Sequence, residues 1–485
     1  MAPGVIPEID DAPAEAMPAL RSRVLSGVML SIFLGAMEST VVATAMPTVV
    51  AALGGIEIYS WVFSGFLLTS TVTMPLWGRL SDLLGRRPVY MAGMAIFLAG
   101  SALSGLAQDM VQLVAFRILQ GAGAGSVITL GMTIVGDLYG LEERARKQGY
   151  ISGVWGVASL VGPLLGGALT DHASWRWVFY INVPFGLLAM ALIGTGLSRA
   201  RPSARRPAID WIGLALLAAT VTGLLLGVVE AGRWGSWGRL AVLAPLVGAA
   251  LAGILFVGAE RRAREPIVPL GLFANRVVLA ALTTGFLSGM AMFGAISFIP
   301  LFMQAVVGTS AMGAGFVLTP FVLGWVVMSI AGARLVLRTG YRLVVACGMM
   351  CLTVAFLFFS AWGEDLTLAQ AMAHVLLGGV GMGLVFVPML IAVQSAVPRH
   401  ELGLATSITQ FFRAIGGTLG LSVMGAMMAQ RLQAGLPVGS ALHGVFVTGA
   451  VVCVLALVST LLVPSGRAQD LVRPDMRGEP TRVGG

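Results

Sequence analysis

The sequence predicts an all-α integral membrane protein of fourteen transmembrane helices, two six-helix bundles with an inserted helical pair. Charged residues make up only 11% of the 485-residue chain and hydrophobic ones 57%. The mean hydropathy is +0.90. Apolar runs of roughly 20 residues recur along the whole length, and that is what a helix needs to cross about 30 Å of hydrocarbon. A soluble domain is about a quarter charged, so lipid is the solvent for most of this chain. Backbone groups without water must then close their hydrogen bonds inside helices.

In order, helices are expected over 24–53, 57–80, 88–106, 110–136, 146–170 and 177–197, over 210–229 and 239–258, and over 277–305, 311–333, 342–361, 367–395, 402–430 and 441–463. The Arg-rich stretches 198–209 and 259–276 bracket the central pair, which leaves the orientation of the second half unchanged. The expected domains are a disordered tail (1–23), a six-helix bundle (24–197), an inserted hairpin with its flanking loops (198–276), a second six-helix bundle (277–464) and a tail (465–485). Transporters are often built from related halves, and GFLLTS from Gly65 is echoed by GFVLTP from Gly315.

A net charge of +8 raises the question of nucleic acid, and the placement of the basic residues answers it. Arg176, Arg233, Arg239 and Arg431 fall in one set of loops, Arg117 and Arg413 inside helices, and the remaining basic residues in the tails and the alternate loops. This is the positive-inside asymmetry, which puts both termini in the cytoplasm of a multi-pass cytoplasmic-membrane protein. No nucleic-acid partner is expected. Residues 1–23 carry Glu8, Asp10, Asp11, Glu15 and four prolines, the wrong composition for a cleaved signal peptide. Cys347, Cys351 and Cys453 lack neighbouring ligands and read as small core residues, so no metal site is expected.

The loop after the second helix reads GRLSDLLGRRP from Gly78 to Pro88. Gly78 and Gly85 allow a tight turn and close helix approach, and Asp82 lies among Arg79, Arg86 and Arg87, where ion pairs form across a loop. In the fourth helix, FRILQGAGAG places Arg117 inside the membrane beside small residues. An arginine at that depth costs at least about 3 kcal/mol unless paired or hydrated. In the fifth, SLVGPLLGGAL from Ser159 supplies Gly162, Pro163, Gly166 and Gly167 to a bendable, closely packed helix.

The loop resembles the signature loop of the major facilitator superfamily, and the resemblance implies that Gly78, Asp82, Gly85, Arg86 and Arg87 latch the halves in one conformation. ARLVLRTGYR from Ala333 is its second-half counterpart without the acid. The Arg117 motif is similar to one where family transporters carry a proton-coupling arginine. The helix of Gly162, Pro163, Gly166 and Gly167 resembles a motif of exporters. WRWVFYINVP from Trp175, DWIG from Asp210, EPIVPLGLFANR from Glu265 and QFFRAIGGTLG from Gln410 are similar to the fourteen-helix drug:proton antiporters. MESTVVATAMP from Met37 resembles a motif in which the family usually has Asp where this chain has Glu38.

Glu38, Arg117 and Arg413 are the charges placed deep in helices, and intramembrane ionisable residues usually face a cavity. Burial disfavours a carboxylate and a nearby arginine favours it, so the proton affinity of Glu38 depends on whether a conformation brings Arg117 beside it. Glu38 and Arg117 are therefore the proton-coupling candidates. The substrate-cavity candidates are Glu38, Gln120, Met290, Phe293, Gln304, Gln410 and Arg413, with soft Met and aromatic faces suited to varied apolar guests.

The expected activity is proton-driven export of hydrophobic, often cationic, small molecules by alternating access, with a lipid or lipid-precursor exporter as the alternative. The partners are lipophilic substrates, protons and the bilayer, with room for an adaptor protein in a two-membrane cell. No cofactor beyond a proton gradient is expected. The single lysine, Lys147, follows Arg146 and makes no Walker loop, and HELGL from His400 lacks the second histidine of a zinc hydrolase, so an enzyme reading has no support.

Overall fold

The computed structural model describes residues 17–55, 59–197, 210–234, 236–263, 266–309 and 311–463; the expected tails, save 17–23, the loop 198–209 and Glu265 lie outside them. The described residues are all-helical. They divide into two compact units, one drawn from Met1–Gly140, Ile151–Ile209 and Arg399–Ile408, the other from Leu141–Tyr150, Asp210–Pro398 and Thr409–Gly485.

The first unit holds α1 (Met17–Leu53), α2 (Tyr59–Leu84), α3 (Arg86–Leu106), α4 (Met110–Leu138), most of α5 (Leu141–His172), α6 (Trp177–Tyr180) and α7 (Asn182–Gly196). α4 is its central helix, packed on α2 and α3, while α1 packs on α7 and α4. The GAGAG run explains how α4 fits there. A Cβ on Gly121 or Gly125 would strike α2 at Phe66 or Ser70, and one on Gly123 would strike α3 at Gly93 and Phe97. Thr69, Thr73 and Trp77, one turn apart, then donate to the carbonyl oxygens of Ile118 and Ala122 at 2.7–3.1 Å, hydrogen bonds that close approach of membrane helices permits.

The second unit holds α8 (Trp211–Trp234), α9 (Leu240–Glu260), α10 (Arg276–Ala305), α11 (Ala311–Phe316), α12 (Thr319–Thr339), α13 (Tyr341–Ser360), α14 (Leu368–Ala396), most of α15 (Leu402–Gln433) and α16 (Val438–Ser459). Its packing repeats that of the first. α14 takes the place of α4 between α12 and α13, and α10 pairs with α16 as α1 does with α7. The glycines repeat too: Gly379 and Gly383 lie against Phe321 and Trp325 of α12, and Gly381 against Gly348 and Leu352 of α13. α8 and α9 pack mainly on each other, with Leu240, Ile254 and Leu255 exposed.

Twelve helices among the described residues are long and apolar enough to cross a membrane, counting α6 with α7 and α11 with α12 as single spans. α2 and α5 are as long and are not among the twelve. Both breaks sit where a proline removes a backbone donor: Pro184 has no N–H for the Tyr180 carbonyl, and Pro320 none for Phe316.

Two expectations are corrected. The 1–23 tail is helical from Met17, because Pro18 falls in the first turn, where its missing N–H costs nothing, and the Tyr139 hydroxyl donates to the Arg21 carbonyl at 3.3 Å. The units also depart from the expected 24–197 and 277–464 bundles. Residues 399–408 join the first unit because Asp82 accepts N–H groups of Gly403 and Leu404, and 141–150 join the second because the Cβ position of Gly149 is filled by Ile330.

Gly85, between α2 and α3, has φ 91° and ψ 157°, and Gly340, between α12 and α13, has φ 85° and ψ 167°. This backbone region is open essentially to glycine alone, at a cost of about 1–3 kcal/mol for other residues. Gly85→Ala is expected to lower the thermal midpoint of the purified protein by several degrees in a fluorescence melt; an unchanged midpoint would show that the turn relaxes freely.

Candidate functional site

Glu38 of α1 and Arg117 of α4 form an ion pair in the interior of the first unit, each at most 1% exposed. Arg117 lies one turn before Gly121 on the face of α4 that meets α2. Its Nε therefore donates to the Val62 carbonyl at 3.2 Å and its guanidinium lies 4.1 Å from the centre of the Phe66 ring. Nη1 donates both to Glu38 Oε1 and, at 2.7 Å, to Gln120 Oε1.

The second carboxylate oxygen has its own donor. Asn182, the first residue of α7, donates from Nδ2 to Glu38 Oε2 at 2.6 Å and to Ser101 Oγ at 3.0 Å, and Ser101 donates in turn to the Phe179 carbonyl at 2.9 Å. Three helices, α1, α4 and α7, thus meet at one carboxylate. Both of its oxygens face donors, the arrangement an ionised carboxylate, which only accepts, requires. The buried Gln120 Nε2 and Asn182 Oδ1 have no hydrogen-bond partner, so the network holds spare donor and acceptor capacity beside the pair. Asn182 and Ser101 escaped the sequence reading, although Asn182 stands inside the quoted WRWVFYINVP run.

At the opposite end of α2, Asp82 accepts from Gly403 N at 3.0 Å and Leu404 N at 2.8 Å, the opening turn of α15, and from Arg86 Nη1. An anion at a helix N-terminus meets unpaired N–H groups and the positive end of the dipole. Arg86 also donates to Ser81 Oγ at 2.9 Å and Asp137 at 2.7 Å, which places it between two carboxylates. Gly78 lets α15 approach: a Cβ there would lie 2.1 Å from Ser407 Oγ. Gly78, Asp82, Gly85 and Arg86 are thus brought together. Arg87 is half-buried and has no ion pair among the described residues.

The antiporter-motif glycines divide. Gly166 closes α5 on α1, where a Cβ would lie 2.2 Å from Thr44 Oγ1 and 2.8 Å from the Val41 carbonyl oxygen. Gly162 is buried, Gly167 meets nothing within 4 Å, and the side chain of Pro163 lies outside the described residues.

The cavity candidates divide as well. Glu38 and Gln120 share the ion-pair network. In the second unit Met290 and Phe293 pack against Gly420 and Gly417 of α15, Gln410 is buried, and Gln304 is exposed, turning back to the Pro300 carbonyl at 3.5 Å. Arg413 lines a small pocket between α10, α14 and α15 with Ala281, Ser288, Phe386 and Thr409. His374, the histidine within α14, accepts from Trp362 Nε1 at 3.0 Å and stacks on Phe358.

The family model described as Major Facilitator Superfamily matches residues 28–421. The chain is 39% identical over 421 residues to Multidrug transporter protein MdtP of Bacillus subtilis (strain 168), an alignment spanning 86% of this chain and 77% of that one. It is 34% identical over 404 residues to Multidrug resistance protein 3 of the same organism, spanning 83% and 79%. The crystal structure of the human organic anion transporter MFSD10 (TETRAN) superposes with a TM-score of 0.67 at 19% identity, covering 93% of this chain and 100% of that one, a likeness of fold alone. Repeated helical packing, the glycine-framed Asp82 loop and these matches agree: the chain belongs to the major facilitator superfamily and is a multi-pass membrane transporter, not an enzyme.

Proposed function

We propose that this transporter is a fourteen-helix antiporter of the cytoplasmic membrane, with both termini cytoplasmic, that exports hydrophobic and often cationic small molecules in exchange for protons. The observation that carries the reading is the Glu38–Arg117 pair, buried yet bonded to Asn182 and Gln120, whose spare polar atoms leave room for a second arrangement. Relatives that carry multidrug transport in their names support the substrate class.

In this mechanism a proton entering from outside neutralises Glu38, weakens its hold on Arg117 and favours one conformation; its release inside restores the pair and resets the cycle. Asp82 and Arg86 hold the start of α15 and latch one conformation. One charge crossing 100 mV supplies about 2.3 kcal/mol, enough for a gradient of roughly fifty-fold per proton.

Purified protein in proteoliposomes with an imposed pH gradient, offered lipophilic cations, neutral drugs and labelled lipids, tests this. Accumulation of the cations and drugs that ends when a protonophore is added is expected. Movement of labelled lipid alone would replace the reading with lipid export.

A further inference from the structure

Arg117 and Arg413 are both membrane-depth arginines, but their surroundings differ. Arg117 has a carboxylate, an amide oxygen and a carbonyl. Arg413, like Arg117 over Phe66, lies on an aromatic face, its Cζ 4.3 Å from the centre of the Phe386 ring, but its buried Nε has no hydrogen-bond partner. Among the described residues no carboxylate makes an ion pair with it.

The packing around Arg413 is tight and built. Gly289 of α10 lies against its backbone, where a Cβ would sit 2.4 Å from the Arg413 carbonyl oxygen, and Gly416 meets the Phe286 carbonyl in the same way. α15 is therefore clamped to α10, and the guanidinium is held at the pocket of Ala281, Gly285, Ser288, Val385, Phe386 and Thr409. The cavity is about 10 Å³, the space of roughly one water or one ligand oxygen. The Ser288 hydroxyl donates to its own helix at 3.2 Å, so its lone pairs, not its proton, face outward and the guanidinium is the donor available. A guanidinium without a counter-charge in hydrocarbon is costly, and a ligand that brings a negative oxygen removes that cost.

We propose that the Arg413 pocket is an anion subsite that takes one carboxylate or phosphate oxygen of an amphiphilic molecule, the apolar body resting on the Phe386 side. This deepens the export reading by adding weak acids and zwitterions to the cations considered there. The two stand separately, because anion binding needs no proton coupling and the Glu38 network does not include Arg413.

The test compares four probes with one pyrene body, binding to the purified full-length protein in detergent by tryptophan quenching: pyrenebutyrate, its methyl ester, the alkyl phosphate and the trimethylammonium analogue. In the wild type the carboxylate or the phosphate is expected to bind at least about tenfold more tightly than the ester, a difference of about 1.4 kcal/mol. The tighter of the two names the headgroup, a free acid or a phospholipid-like ester. Arg413→Gln should remove the anion-over-ester preference and Arg413→Lys should keep part of it. Equal binding of acid and ester by the wild type overturns the proposal without any variant, and so does a preference that survives in Arg413→Gln. Because no gradient is present, failure of drug accumulation in proteoliposomes would count against the export reading alone.

Discussion

Glu38→Gln is expected to bring proton-driven substrate accumulation down to background while binding of neutral drugs persists without its pH dependence. Glutamine keeps much of the shape, and its amide oxygen can still accept from Arg117, but it holds no titratable proton. In the wild type both carboxylate oxygens accept from donors, Oε1 from Arg117 and Oε2 from Asn182, and the proposed cycle requires a second conformation that parts them. Without proton exchange the roughly fifty-fold gradient per proton available at 100 mV vanishes. Glu38→Asp keeps the charge on a shorter arm, so partial activity is expected. Arg117→Ala should also abolish coupling, since it strands a buried carboxyl; breaking one partner of a buried pair costs about 3–5 kcal/mol. Uptake under an imposed pH gradient, alongside equilibrium binding at several pH values, separates these outcomes. Loss of binding as complete as loss of transport in Glu38→Gln would assign the residue to substrate recognition.

Asp82→Asn is expected to slow turnover by about tenfold, the effect of about 1.4 kcal/mol, with equilibrium drug binding changed far less. The carboxylate uses its oxygens on Gly403 N, Leu404 N and Arg86 at once. Asparagine has one oxygen for three donors and no charge for the helix terminus, where a negative group contributes about 0.3–1 kcal/mol and up to about 2 when partly buried. Arg86, still paired with Asp137, keeps the loop folded. Stopped-flow measurement of conformational exchange beside a binding isotherm checks this, and a binding loss equal to the transport loss would contradict a latch.

The fold was legible from composition and run length because the membrane admits few alternatives. The pair was legible as well: Glu38 and Arg117 stand out because charge inside such runs is rare. What the sequence did not disclose is who meets whom over distance. Asn182 lies 144 residues from Glu38, and an Asn at a helix start reads as a cap, so nothing local marks it as a carboxylate donor. The grip of Asp82 on Leu404 spans 322 residues and uses backbone N–H groups, which leave no trace in residue identity. A better signal of the internal repeat existed than the Gly65 and Gly315 echo. Glycines at 121, 123 and 125 match 379, 381 and 383 in spacing and in the helices they admit. Residues such as Met290 and Phe293, by contrast, carry a pattern that core packing produces equally well, and they pack on glycines of α15.

Glu38 is the proposed carrier of the coupling proton, and substrate-induced proton release reports it directly. Purified protein in weakly buffered detergent, near neutral pH, is mixed with a lipophilic cation while a pH indicator is followed. Wild-type protein is expected to release protons in a saturable way, Glu38→Asp to release them at a shifted pH, and Glu38→Gln to release none. Undiminished release from Glu38→Gln would place the coupling proton on another residue.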